Sequence, residues 1–370
     1  MTTIPLMELD ADPTGTLSHE AIESMLHAIW DDLNKSNPTS RTRVRTLNLL
    51  IYVPETPSDE VRNEIARVAL AHPGRTITIH PEAGPAHAEV TVACRVGGSA
   101  EACSEQIMLR GGDSDGEALL SLALALLHPG LPVALWWYGP PAFARRPFVT
   151  LLDAADHVLV DSRTWPEPYA PLRQLAEIRK HYMGNLRFSD LQWVAITPWR
   201  QQIAQAFDAQ MVHEIMPAVN AVVIRYNGPQ YVVGAWLLAG WLMSSLGWQL
   251  ADGPVLRDQT GVTIPLQAAG RPMTLALRTQ GPGDGITGLS LHPAASAATS
   301  FSCELLPDGV NVIARMEVAG SAPLERVTPR LRLPMTMLIG EELALGNNDP
   351  IYTRTLDLTI ALAEKLRGSL

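Results

Sequence analysis

The run Val133-Ala-Leu-Trp-Trp-Tyr138 carries no charge, and Gly139-Pro140-Pro141 closes it. A short apolar run between turn formers is a strand buried on both faces, as at the centre of a parallel sheet. Side chains alternate along a strand, so Trp136 and Trp137 anchor layers on opposite sides of that sheet. An apolar helical stretch, Glu117 to Leu127, leads into the strand, and a second strand, His157 to Asp161, follows it. Strand, helix and strand in that order commit the first half of the chain to an α/β layering.

The alternation holds upstream. Ile22, Met25, Leu26, Ile29 and Leu33 recur at helical spacing within Ser18–Asn34. Thr46 to Val53 is a strand ended by Pro54, and Asp59 to Ala71 a helix with acids in its first turn. Strands over Arg75–His80, Glu89–Val96 and Cys103–Leu109 follow, the last two joined by a Gly-containing loop that suits a hairpin. Helices are expected over Phe148–Ala155, Tyr169–Tyr182 and from Thr197, a good N-cap before Pro198. Asp208 to His213 reads as a boundary. Beyond it come a strand over Ala218–Tyr226 and an apolar helix over Tyr231–Trp248. Strands over Pro265–Thr279, Gly285–His292, Thr299–Leu306, Gly309–Val318 and Pro323–Leu333 are separated by Pro/Gly turns, and helices over Met335–Leu343 and Pro350–Leu366 end the pattern. The expectation is an α/β N-terminal domain, residues 1–208, with a mostly parallel, Rossmann-like three-layer sheet, followed by an α+β C-terminal domain, residues 209–370, with an antiparallel sheet.

At 46% hydrophobic and 18% charged residues, the chain can bury two cores and is not a disordered protein. A net charge of -10 argues against a nucleic-acid partner, which needs a basic stripe. Cys94, Cys103 and Cys303 are too few for a disulfide framework, and Met1 to Asp12 lacks the basic and apolar regions of a signal peptide, so a cytoplasmic protein is expected. Tyr231 to Trp248 is uncharged, but its glycines, its serines and the lack of flanking Lys/Arg clusters mark a buried core helix, not a membrane span.

Two familiar catalytic signatures are missing from the sequence: there is no Walker A and no H-x-x-x-H pattern. Arg110 to Glu117 resembles a phosphate loop, yet Asp113, Asp115 and Glu117 would repel a phosphate, and Ser114 with Glu117 fits a capping box. Asp161 stands at a carboxyl strand end, where ligands of open α/β sheets gather; it is a site residue, or with Ser162 it caps a turn. Asp31-Asp32 and Glu341-Glu342 read as solvated helix faces. Arg41, Arg43, Arg45, Arg75 and Arg110 lie near strand ends and either converge on an anion or form surface ion pairs. Cys94 and Cys103 either approach across their hairpin as a redox pair or stay reduced and buried. No Cys/His cluster has zinc spacing, and no metal or cofactor is expected.

Taken in order, Leu47-Asn-Leu-Leu50, His72-Pro-Gly-Arg75, Cys103-Ser-Glu-Gln-Ile107, Leu131-Pro-Val-Ala-Leu-Trp-Trp137, Ala155-Asp-His-Val-Leu-Val-Asp-Ser162, Asp190-Leu-Gln-Trp193 and Thr197-Pro-Trp-Arg200 resemble the family of glucose-6-phosphate dehydrogenase assembly proteins, OpcA. The match continues more weakly through Trp241–Trp248, Glu341-Glu-Leu343 and Asp349-Pro-Ile-Tyr352. The resemblance implies a non-catalytic partner of glucose-6-phosphate dehydrogenase. Such a partner promotes the dehydrogenase's active oligomer as an allosteric activator and raises NADPH production in the oxidative pentose phosphate pathway. Cyanobacterial members are linked to thioredoxin. This chain lacks a close C-terminal cysteine pair, so thioredoxin as a partner would rest on Cys94 and Cys103. A partner surface wants aromatic and Arg anchors; Arg145, Arg146, Trp165, Tyr169 and Arg200, in or beside loops, are the candidates, with Trp136, Trp137 and Trp193 left to the core. The competing reading is a sugar-phosphate- or nucleotide-binding sensor, or an enzyme in its own right.

Overall fold

A computed structural model describes residues 6–36, 41–97, 100–112, 116–143, 145–182, 186–207, 218–280, 284–294, 300–317, 322–345 and 349–368. Contacts gather the chain into two units that interleave in sequence. One takes Met1–Thr164, Glu177–Leu191 and Pro334–Asn347; the other takes Trp165–Ala176, Gln192–Leu333 and Asn348–Leu370. The expected boundary over Asp208 to His213 lies outside the described residues.

The first unit holds β1 (Met7–Asp10), β2 (Arg41–Arg43), β3 (Asn48–Tyr52), β4 (Arg75–Pro81), β5 (Gly84–Gly97), β6 (Ala100–Gly112), β7 (Val133–Trp137), β8 (His157–Val160) and β9 (Arg187–Asp190). Their order is β1-β5-β6-β4-β3-β7-β8-β9, with β2 on β6. From β6 through β9 every neighbouring pair is parallel; β1, β5 and β6 pair antiparallel, so the sheet is mixed. Every residue of β3, β4, β7 and β8 is buried, as in a parallel sheet covered on both faces. As expected, β7 lies between two parallel neighbours, β3 and β8.

The helices are α1 (His19–Ser36), α2 (Asp59–Ala71), α3 (Glu117–Ala125), α4 (Arg146–Ala154), α5 (Tyr169–His181), α6 (Leu191–Ala195), α7 (Thr197–Phe207), α8 (Val232–Leu246), α9 (Met335–Ala344) and α10 (Pro350–Arg367). Ser58 caps α2 by accepting from the Val61 amide. The capping-box serine expected before α3, Ser114, lies outside the described residues; the N-cap position is Gly116, at φ +62. The chain steps from β3 to β4 in one direction and from β6 to β7 and β8 in the other. Right-handed crossovers then put α2 on one face and α3 and α4 on the other. The contacts agree: α3 packs on α4, and α2 packs on α9.

The second unit holds β10 (Val219–Asn227), β11 (Trp248–Leu250), β12 (Leu256–Asp258), β13 (Gly261–Ala268), β14 (Arg271–Arg278), β15 (Gly285–Pro293), β16 (Ser300–Leu305), β17 (Asn311–Glu317) and β18 (Leu324–Pro329), in the order β11-β13-β14-β10-β15-β16-β17-β18 with β12 on β13. Two expectations need correction. The sheet is not a plain antiparallel meander: β10 sits mid-sheet and runs parallel to β14, because α8 intervenes before the chain returns beside it. Pro265–Thr279 is not one strand but parts of β13 and β14, turned by Ala269 (φ +48) and Gly270 (φ +78). Two positive-φ residues make the hairpin turn whose twist suits the strands. Along α8, a Cβ at Gly240 would stand 2.8 Å from the Thr355 carbonyl oxygen of α10, so glycine permits the close helix contact. Among the described residues no helix is long and apolar enough to cross a membrane.

Candidate functional site

Ligands of doubly wound sheets bind outside the carboxyl strand ends, where the winding reverses. Here that point lies between β3 and β7, whose last residues, Tyr52 and Trp137, face each other in register. Their rings stack at 4.2 Å and 23°. Phe148 of α4 meets Trp137 edge-on at 4.9 Å, and Phe143 meets Phe148 at 5.0 Å. All four rings are buried, so the chain's own aromatic side chains fill the crevice. Trp136 turns to the opposite face, against Tyr138 at 6.0 Å, as strand alternation requires.

Beside this plug lies a small polar cluster. Asp161, just beyond β8, accepts two hydrogen bonds from Arg163, at 2.9 Å from Nε and 2.6 Å from Nη2. It also accepts from the Arg163 amide at 3.1 Å, while Ser162 N donates to Asp190 at 3.1 Å, so the turn-capping reading of Asp161 is realised. Glu64 reaches toward it from α2. Burial raises the Glu64 pKa; Arg163 opposes that rise and Asp161 adds to it. Burial also pushes the Tyr138 phenol up, helped by Glu64 and Asp161. Glu64, Tyr138 and Arg163 are each partly exposed. Glu64 is thereby a weaker acid than a free glutamate, and the group presents both donors and acceptors.

The amino ends of the strands are built differently. Arg75, the first residue of β4, is 2% exposed. Its guanidinium donates to Glu105 at 2.8 Å and to the Leu126 carbonyl at 2.7 Å, and it pairs with Glu23. Trp30 donates to Glu105 at 2.9 Å, and Arg43 pairs with the same carboxylate. Burial raises the Glu105 pKa, but Arg75 and Arg43 outweigh it and hold the carboxyl below its ordinary value. The five arginines do not converge. Arg41 is held by Glu101 at 2.6 Å, Arg45 is exposed, and Arg110 pairs with Glu89 at 3.2 Å near the opposite end of β6. The surface ion-pair reading also fails for Arg75, because it is buried together with its partner Glu105.

A second buried network went unread in the sequence. A guanidinium only donates, so Arg187 Nη2, 2.6 Å from His157 Nδ1, fixes the ring proton on Nε2. Nε2–H then donates to Ser189 Oγ at 2.9 Å, and the Ser189 hydroxyl donates to Glu342 at 2.5 Å. Serine, histidine and carboxylate are thus present, but the hydroxyl proton points at the acid, the reverse of a nucleophile geometry. Burial, and secondarily Arg187, pushes the His157 pKa down to about 3. The solvated reading of Glu342 is corrected, since it is 3% exposed; Asp31 and Asp32 are exposed as expected. Only the strand starts at His157 and Arg187 hinted at this network, and nothing local pointed to a helix so distant in sequence.

The proposed anchors divide. Arg145 and Arg146 are exposed at the start of α4, Arg146 pairing with Glu117 at 3.0 Å. Trp165 is 3% exposed, which corrects its place among accessible anchors. Tyr169 is partly covered by Arg367, 5.0 Å above its ring. Arg200 stacks 3.4 Å over Trp193, a cation–π contact that ties it down. Trp193 also donates to Asp349 at 2.8 Å and lies 5.5 Å from Tyr352, so three of the resembling segments meet. Cys94 and Cys103 face each other in register and are joined as a disulfide, while Cys303 is free and buried.

Two family models match successive stretches of this chain: the glucose-6-phosphate dehydrogenase subunit N-terminal domain over residues 65–177, and its C-terminal domain over residues 186–356. Together they take in over three quarters of the sequence. The chain belongs to the OpcA family. Relatives carrying the name "Putative OxPP cycle protein OpcA" include one from Synechocystis sp., 27% identical over 337 residues, covering 85% of this chain and 68% of the relative. One from Synechococcus elongatus is 24% identical, covering 86% and 74%. One from Nostoc punctiforme is 30% identical over 188 residues, covering 49% and 40%. Similar solved structures include an NAD binding oxidoreductase from Klebsiella pneumoniae, with a TM-score of 0.49 and 9% identity over 88% of this chain and 96% of that one. A myo-inositol 2-dehydrogenase from Lactobacillus plantarum has a TM-score of 0.48 and 9% identity over 88% and 97%. Likenesses of that size carry no inference about this chain.

Proposed function

We propose that this OpcA-family chain is a non-catalytic assembly factor and allosteric activator of glucose-6-phosphate dehydrogenase, acting in the oxidative pentose phosphate pathway in the cytoplasm. The observation that carries this reading is the aromatic filling of the crevice, by Tyr52, Trp137 and Phe148, in a chain matching models of a dehydrogenase subunit. Activation follows if the chain binds the active oligomer more tightly than the inactive form and so shifts the population. A coupling of about 1–3 kcal/mol corresponds to roughly 5–150-fold in affinity. Arg145 and Arg146 are the exposed anchors of the N-terminal domain, taken as 1–208, with 209–370 as the C-terminal domain. Thioredoxin is a second partner in this reading, acting on the Cys94–Cys103 bond.

The test is dehydrogenase activity at subsaturating substrate with this chain titrated in. A saturable rise in rate, weakened by the double change Arg145→Ala and Arg146→Ala, is expected. No change in rate together with no co-elution on sizing would overturn the proposal. Binding of glucose-6-phosphate or NADP by the isolated chain would instead favour the sensor or enzyme reading.

A further inference from the structure

The hairpin of β5 and β6 presents three donor side chains together. Antiparallel register sets Cys94 directly opposite Cys103. Glu101, two residues before Cys103 on β6, projects from the same face. The two sulfurs and a Glu101 oxygen lie within 4.8 Å of one another. Cys103 is buried, while Cys94 and Glu101 are partly exposed, so the group can be reached from solvent.

The cysteines are bonded to each other in this structure. Reduced, the same backbone suits a different bond. The Cβ atoms of a bridged pair stand about 3.5–4.5 Å apart. With both Cβ–Sγ bonds turned the same way, the sulfurs keep about that separation. Two thiolates each about 2.3 Å from one tetrahedral zinc ion are themselves about 3.8 Å apart. The hairpin therefore needs side-chain rotation, not backbone movement, to offer both sulfurs to one ion. Glu101 adds a hard donor already oriented by a neighbour, because Arg41 Nε donates to its Oε2 at 2.6 Å. Partners of this kind hold ligating carboxylates in place. The nearby Arg43 is spoken for by Glu105.

We propose that the reduced chain binds one divalent cation of the zinc class through Cys94 Sγ, Cys103 Sγ and a Glu101 oxygen, with water in the fourth position. Metal and disulfide then exclude one another. A dithiol reductant supplies two electrons and two protons: its two S–H bonds become one S–S bond, and the Cys94–Cys103 bond becomes two thiols. Metal binding releases those two protons, because thiolates are the ligands.

Cobalt(II) is the probe, added to the full chain reduced by a phosphine, with thiol titration of a denatured aliquot showing three free cysteines per chain. One equivalent should raise a thiolate-to-metal charge-transfer band that zinc displaces. The oxidised chain should show none, and Cys303→Ser should keep the full band. Cys94→Ser or Cys103→Ser should abolish it, and Glu101→Gln should weaken binding roughly tenfold or more. No band in the reduced, folded wild-type chain overturns the site, as does a disulfide that the phosphine leaves intact. A band unaltered in Cys94→Ser does so too. Because wild type is compared with itself in two redox states, the test stands even if a serine variant misfolds.

Discussion

The two ends of the first sheet solve opposite problems. At the amino ends, Asn48, Arg75, His157 and Arg187 begin β3, β4, β8 and β9, and their polar groups close on buried partners. At the carboxyl ends, aromatic rings fill the crevice, and Glu64, Tyr138 and Arg163 stay partly open to solvent. A buried charge must be satisfied internally, so the amino end is fixed by stability. A partly open cluster pays less of that penalty, so a change there should cost the fold less.

Removing a partner from the closed end should cost most. Arg75→Met leaves the Glu105 carboxylate buried without its main cation, and a loss of about 3–5 kcal/mol is expected in urea denaturation. A loss below about 1 kcal/mol would break the comparison. The second effect is acid sensitivity. His157 is held neutral with a pKa of about 3, against 6.5 for the free side chain. Between those values the unfolded chain binds a proton the folded chain refuses, so stability is full above pH 6.5 and falls as pH drops. The slope is about 1.4 kcal/mol per pH unit. His157→Gln should flatten it between pH 6 and pH 4.5; an unchanged slope would assign it elsewhere. Ser189→Ala removes the link between His157 and Glu342 and should cost about 1–3 kcal/mol, measured the same way. The smallest effect sharpens the contrast. Glu64→Gln at the open end should change stability by less than about 0.5 kcal/mol. If the carboxyl end meets the dehydrogenase, the same change should lower activation measurably; activation equal to wild type would move the contact away from Glu64.

Much of this was legible because burial on both faces leaves a plain trace. β7 and β8 show as apolar runs, and Trp136 and Trp137 divide between faces as alternation requires. The hairpin that sets Cys94 opposite Cys103 was visible in the sequence, although their pairing stayed open there. What stayed hidden depended on distant partners. Arg75 reads as a surface cation until Glu23 and Glu105 are brought to it. Glu342 reads as one of a solvated acid pair until Ser189 is placed against it. The Ala269-Gly270 turn escaped because alanine is a weak turn signal, although it takes positive φ here. The parallel pairing of β10 with β14 escaped because no local pattern encodes which strand returns to the middle.

The helix α9 has one more consequence, in time rather than in space. It belongs to the first unit, and its Glu342 receives the Ser189 hydroxyl, yet it is translated long after β9. At about 5–20 residues per second the ribosome needs on the order of ten seconds to cover the interval. Until then the nascent sheet holds Ser189 and Arg187 without the carboxylate and carbonyls they will bond. A recombinant fragment ending near residue 208 would be caught permanently in that unfinished state. Dissection of this protein would do better to carry the late helix along, by fusing it after β9 or expressing it in trans.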